Sequence, residues 1–349
     1  MIPVFDGHND FLQRMVAAGP GRDALWLRGD GTGHLDLPRM KAGGLVGGFF
    51  AIWIPAEELP DYPVWMKMQE NPPYAIPMAP EVGHDAALPH AMAQAAQLLA
   101  LERTGTLSLC KSAAEIRHAI AAGRIAAIMH MEGAEAIADP DALHLWHAVG
   151  LRSLGPVWSR PTRYAHGVPF AFPSAPDTGP GLTPAGRDLV RECNRLRIMI
   201  DLAHTNEAGF RDVANLSDAP LVSSHSGAHA LAPSSRNLTD DQLRMIAESG
   251  GLVGLNFAAG FMRPDGKRLP FSGFDPFLRQ FDHLLRILGE NGVALGSDFD
   301  GALMPTDLPD ASALPRLLEA MAAHGFGREL IEKIASRNWI SLLERTWGA

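Results

Sequence analysis

Eight short apolar runs recur along the 349 residues, and longer segments, most with helical periodicity, separate them. Parallel strands need a crossover of a dozen or more residues, usually a helix, so this alternation restricts the chain to repeated β-α units on a parallel sheet. The runs predict strands at 2–6, 45–53, 125–131, 151–157, 198–203, 220–224, 251–257 and 293–298. Helices are predicted at 86–103, 112–122, 140–149, 183–196, 206–215, 239–249 and 274–291, with more toward the C-terminus. Thr183 followed by Pro184, and Thr239 with a Gly-Gly stop at 250–251, are start and stop signals. Eight strands with interleaved helices predict a (β/α)8 TIM-type barrel; a doubly wound open sheet is the alternative compatible with the same pattern. Segments 55–85, 159–182 and 259–273 are rich in Pro and Gly and are predicted to be irregular loops over one face. One such barrel accommodates a chain of this length, so 1–349 is expected to be a single domain.

Composition excludes several classes of function. The net charge is −9 and no Lys/Arg-rich run exists, which argues against nucleic acid, since phosphate neutralisation needs a basic stripe. The longest apolar stretches, such as "LVGGFFAIWIP" at 45–55, are too short to span a bilayer. No basic-plus-apolar leader or lipidation signal is apparent, so a cytoplasmic protein with no membrane partner is expected. Cys110 and Cys193 are too few for a disulfide framework and are expected to be buried thiols.

Metal-type residues fall where the strands end. His8 and Asp10 follow the first run, Glu132 the third, His204 the fifth, His225 the sixth, and Asp298 closes the eighth. A single histidine is more commonly a surface or hydrogen-bonded core residue, and an aspartate at a strand end can simply cap a turn. In a parallel barrel, however, all strand C-termini share one face, so these six residues would converge. Three His, two Asp and one Glu form a mixed N/O set suited to zinc, and the number of ligands suggests two ions, with Glu132 able to bridge them through its two oxygens. Two ions about 3.5–4 Å apart generate hydroxide near neutral pH, which is hydrolytic machinery. Asp298 could also carry a proton as general base and then acid. Asp6 and Asp300 read as residues that orient ligands or turns. Arg236, in the loop after the sixth strand, has the fork to hold a substrate carboxylate.

Together the segments "DGHND" (6–10), "MEGAEAI" (131–137), "IDLAHTN" (200–206), "SHSGAHALAPSSRN" (224–237) and "SDFDG" (297–301) resemble the renal or membrane dipeptidase family of the metal-dependent amidohydrolase superfamily. The likeness covers nearly the whole chain. It implies a binuclear zinc site in which His8, Asp10 and Asp298 hold one ion, His204 and His225 the other, and Glu132 bridges. It implies cleavage of dipeptides, with an L- or D-residue in second position, by metal-activated hydroxide. Asp298 would pass the proton to the leaving amine, Arg236 would grip the C-terminal carboxylate, and the assembly would be a homodimer. The sequence departs from the family at Trp158, which stands where mammalian members carry a substrate-binding histidine after strand four. Indole donates one hydrogen bond and cannot accept or titrate. His166 in the following loop is a candidate substitute, and an ordinary loop histidine is the alternative. Two other readings are a related amidohydrolase retuned to another small amide, ester or lactone with Trp158 as an aromatic wall, and a catalytically weakened binding protein.

Overall fold

The computed structural model describes residues 1–56 and 59–348. Eight parallel strands form the frame: β1 (Val4–Asn9), β2 (Leu45–Trp53), β3 (Ile125–Glu132), β4 (Leu151–Gly155), β5 (Met199–Ile200), β6 (Val222–Ser226), β7 (Leu252–Asn256) and β8 (Val293–Gly296). The first five pair in chain order in one sheet and the last three in a second. Single parallel bridges join the two, Asp201 to Val222 between β5 and β6, and Asn9 to Phe299 between β1 and the end of β8. The result is the expected eight-stranded α/β barrel, closed by thin seams. A three-residue strand at Leu107–Leu109 pairs with the first half of β3 on the edge that β4 occupies further along.

Every residue of β1, β3, β6, β7 and β8 is buried, as required when helices cover the outside and side chains fill the inside. The outer core lies between strands and helices, with Phe11, Leu98, Leu143, Phe210, Phe277 and Leu317 packed on the barrel. An inner cluster of Phe5, Phe49, Met199, Val222, Leu252, Ala294 and Trp339 packs together, and the Trp339 indole donates to the Leu295 carbonyl at 2.8 Å. Close approach inside the barrel needs small residues: a Cβ on Gly254 or Gly296 would meet the Ser224 carbonyl oxygen at 2.0 Å.

The predicted helices are present within three residues at each end, and two of their caps form as the sequence indicates. The Thr183 hydroxyl accepts from the Gly186 N–H, and Thr239 with Gln242 makes a reciprocal capping box. Other features differ. Between β1 and β2 lie three unanticipated helices, Phe11–Ala18, Arg22–Arg28 and Leu37–Ala42, whose short lengths and intervening Gly and Pro obscure any period. β1 runs three residues beyond the predicted 2–6, and β6 begins and ends two residues later than 220–224, because Pro220 lacks the N–H a ladder needs. His8 and His225 therefore lie inside strands rather than just after them. The segments predicted as irregular hold the helix Tyr62–Met68, an antiparallel pair of Tyr74–Ala75 with Ala171–Phe172, and the short helix Ala259–Met262. Residues 57 and 58 of the first such segment, and residue 349, lie outside the described residues.

Candidate metal centre

All six predicted ligands converge at the C-terminal ends of the strands, and each is buried. Glu132 stands between two groups. Its Oε1 lies 3.0 Å from His204 Nε2 and 3.3 Å from His225 Nε2, while Oε2 lies 3.8 Å from His8 Nε2. His8 Nε2 is in turn 3.3 Å from Asp10 Oδ2. Asp10 and Asp298 approach across Gly301, where an added Cβ would come within 2.1 Å of Asp10 Oδ2 and 2.6 Å of Asp298 Oδ1. His8 and His225 stack with ring centroids 3.9 Å apart. His204, Asp298 and Asp300 have φ of 64°, 61° and 68°, left-handed values that cost a non-glycine residue roughly 1–3 kcal/mol and cluster at functional sites.

Several of these short distances are not hydrogen bonds. His8 Nε2 and Glu132 Oε1 are buried without a partner of acceptable geometry. The layer behind the ligands explains why the nitrogens face one another. The Ser224 hydroxyl donates its one proton to Asp201 Oδ2 at 2.5 Å, so at 2.7 Å from His225 Nδ1 it can only accept. His225 therefore carries its proton on Nδ1 and turns a bare Nε2 lone pair inward, 3.2 Å from His204 Nε2. His204 Nδ1 is held at 2.7 Å by the Ser159 hydroxyl. Burial, with the charges of His8 and Arg236, holds both imidazoles well below the usual histidine range and so neutral. Burial disfavours a His8 imidazolium, but Glu132, Asp10 and Asp298 together push its pKa up to about 10. Burial raises Glu132 to about 8, with Asp10 and Asp298 adding to the rise and His8 opposing it. Burial also raises Asp298, reinforced by Asp10 and opposed by His8. Crowded carboxylates, inward lone pairs and orphaned polar atoms, gathered in three overlapping trios (His8, His225 and Asp298; Glu132, His204 and His225; His8, Asp10 and Glu132) whose ligand atoms lie within 4.8 Å of one another, fit a cationic metal better than they fit each other.

β7, from which no candidate was drawn, supplies Asn256, whose Nδ2 donates to Asp298 Oδ2 at 3.0 Å. An amide at the seventh strand end was the one available signal. Asp6 and Asp300 behave as orienting residues. Asp6 accepts from the Ser297 N–H and hydroxyl, both at 2.7 Å, and Asp300 accepts from the His34 N–H at 2.6 Å and from Arg14. The Cys110 and Cys193 thiols are buried and free, as expected.

Above the centre opens a cavity of about 800 Å³, counting its mouth, lined by Asp10, Glu132, His204 and Asp298 below and by Trp53, Tyr62, Trp158, Phe170, Phe261 and Arg268 among its walls. Trp158 faces it and meets His204 at 5.8 Å between centroids, Trp53 at 5.2 Å and Phe170 at 5.6 Å. The Arg160 guanidinium sits 4.9 Å over the Trp158 ring and pairs with Glu135 at 3.2 Å. Neither His166 nor Arg236 is among the residues that line the cavity; the His166 backbone carbonyl accepts from the Asn206 N–H at 3.4 Å. Arg236 is buried behind Phe261, 5.6 Å from its centroid. It donates to Ser226 Oγ and the His225 carbonyl, leaving only Nε unpaired.

A closed barrel of parallel strands bearing three imidazoles and three carboxylates at one mouth defines a metal-dependent hydrolase. The sequence model of the membrane dipeptidase family, peptidase family M19, matches residues 1–347, and the chain belongs to that family of metallopeptidases. A crystal structure of a metallo peptidase from Rhodobacter sphaeroides, liganded with a phosphinate mimic of the dipeptide L-Ala-D-Ala, superposes with a TM-score of 0.97 at 57% identity, covering 99% of each chain. A Klebsiella pneumoniae protein known as the uncharacterized protein in the pqqA 5' region is 44% identical over 252 residues, 72% of this chain and 93% of its own length. The dipeptidase ataJ of Aspergillus terreus is 29% identical over 375 residues, 99% of this chain and 84% of its own.

Proposed function

We propose that the protein is a binuclear zinc dipeptidase that hydrolyses L-Xaa-L/D-Xaa dipeptides, with the L,D series favoured. The observation that carries the reading is Glu132, which turns one oxygen toward His204 and His225 and the other toward His8. His8, Asp10 and Asp298 would hold one ion, His204 and His225 the second, and Glu132 would bridge. Bound zinc would act as a Lewis acid on the scissile carbonyl and lower the pKa of a water to near neutrality. Asp298 accepts from Asn256 on Oδ2, and whichever of its oxygens does not hold the metal would take a proton and deliver it to the leaving amine. Arg236, with its unpaired Nε behind Phe261, is the proposed anchor for the substrate's C-terminal carboxylate. The L-Ala-D-Ala mimic bound by the Rhodobacter sphaeroides relative supports a D-residue in second position.

The same reading makes each chain one domain of a cytoplasmic homodimer with no nucleic-acid or membrane partner. The acidic net charge supports the lack of a nucleic-acid partner, and among the described residues no helix is long and apolar enough to cross a membrane. Trp158 favours a second reading, in which the aromatic wall has retuned the site to another small amide, ester or lactone. Metal analysis of purified protein combined with a screen of L,L and L,D dipeptides separates the two. Two zinc per chain with dipeptide turnover that chelation removes and zinc restores is the expected result. No bound metal and no turnover of any dipeptide after zinc addition would overturn the proposal.

A further inference from the structure

Among the described residues that line the cavity, Arg268 is the only arginine or lysine, and no hydrogen bond or ion pair holds its guanidinium. Its surroundings explain how it comes to be left over. Asp265, the acid of the same loop, is gripped on both oxygens by Arg263, Nε to Oδ1 at 2.8 Å and Nη2 to Oδ2 at 2.7 Å. Tyr74 lies close enough to feel the Arg268 charge, yet burial pushes its hydroxyl up to about 12, so it stays neutral and offers no counter-charge. Asp300, another acid of the cavity, is taken by Arg14 and the His34 N–H. Asp10, Glu132 and Asp298 belong to the metal centre. The base of Arg268 is firmly placed: its N–H donates to the Gln69 carbonyl at 2.8 Å, and its Cα sits 3.5 Å from where a Cβ on Gly260 would lie. Gln69 and Gly260 both line the cavity. A guanidinium fixed at its root and unpaired at its head, on the wall of a substrate cavity, is a receptor for a carboxylate.

We propose that Arg268 is a specificity-determining residue that pairs with a carboxylate in the substrate's side chain, so that dipeptides containing Asp or Glu are preferred over those containing Asn or Gln. The inference rests on the dipeptidase reading above. A dipeptide has a single α-carboxylate, one carbon removed from the scissile nitrogen and therefore near the metals. Arg236, buried behind Phe261 and hydrogen-bonded to the carbonyl of the ligand His225, is the cation proposed above for that carboxylate. Arg268 stands on a separate loop, where a side chain can reach.

The test compares metal-loaded wild type with Arg268→Met and Arg268→Glu on isosteric pairs: L-Ala-D-Glu with L-Ala-D-Gln, L-Ala-L-Glu with L-Ala-L-Gln, and L-Glu-D-Ala with L-Gln-D-Ala. Wild type is expected to favour the acid in at least one pair by about tenfold or more in kcat/KM, carried mainly by KM. Arg268→Met brings that ratio toward one, and Arg268→Glu inverts it. Calorimetric Kd values for D- and L-glutamate against D- and L-glutamine supply the same ratio without turnover. Ratios near one in wild type, or equal in wild type and Arg268→Met, would overturn the assignment. Absence of hydrolysis of every dipeptide by the zinc-loaded wild type would instead count against the dipeptidase reading, and the amino-acid Kd ratios would then decide Arg268 alone.

Discussion

Ser224→Ala tests whether the layer behind the ligands sets the metal centre. The hydroxyl is fully buried, accepts from His225 Nδ1 at 2.7 Å and donates to Asp201 Oδ2 at 2.5 Å. Asp201 would keep two donors on Oδ1 after the change, the backbone N–H groups of residue 224 at 2.7 Å and Ala203 at 3.1 Å, while Oδ2 would lose the hydroxyl. His225 has no other partner for Nδ1, so the larger consequence falls on the ligand: its proton is no longer held on Nδ1 and its ring orientation is no longer fixed. A lost buried hydrogen bond to a charged group costs about 1.5–3 kcal/mol. In a chain of this size that lowers Tm by roughly 2–4 °C. Loss of an outer partner of a ligating histidine weakens metal binding by about 10–100-fold. Melting of the metal-free protein measures the first effect, and zinc competition with a fluorescent chelator measures the second. Zinc affinity within about twofold of wild type in Ser224→Ala would refute the reasoning, because the orientation of His225 would then not depend on this hydroxyl.

Three further outcomes are expected. Asp298→Asn should retain at least one zinc per chain while turnover falls by about 10²-fold or more, since an amide cannot accept the proton; retained turnover would contradict the shuttle role. Arg236→Ala should raise KM for carboxylate-bearing substrates, and it should also lower Tm because the guanidinium is buried on Ser226 and the His225 carbonyl; an unchanged KM removes Arg236 from the substrate model. Trp158→Ala should destabilise the fold by about 3–5 kcal/mol in urea titration, because Trp53, Phe170 and Arg160 all pack on the indole. A cost below about 1 kcal/mol would mean that the aromatic wall re-forms without it.

The frame and the ligands were legible for the same reason. Parallel strands buried on both faces are written as local apolar runs, and closure of a parallel barrel brings their C-terminal ends to one face whatever the distance along the chain. His8 and Asp298 could thus be paired across nearly the whole sequence without any knowledge of their contacts. The early helices 11–18, 22–28 and 37–42 were not legible, since each is too short to show a period and stretches containing Gly and Pro separate them. Nor was the work of Ser159, Ser224, Asp201 and Asn256, whose residue types are as common in turns as behind a ligand.

What the sequence determined by itself is the barrel and the six metal-type side chains at its mouth, because both follow from short-range patterns repeated in register. Tertiary structure alone decided which way each of those side chains turns and what the cavity offers a substrate. Ser297 reaches Asp6 across 291 positions, and Arg14 reaches Asp300 across 286. Arg236 lies buried behind Phe261, His166 lies off the cavity wall, and Arg268 stands unpaired within it. Each of these outcomes depends on which loops meet above the barrel, and such meetings are settled by packing and by competition for hydrogen-bond partners between residues far apart in the chain.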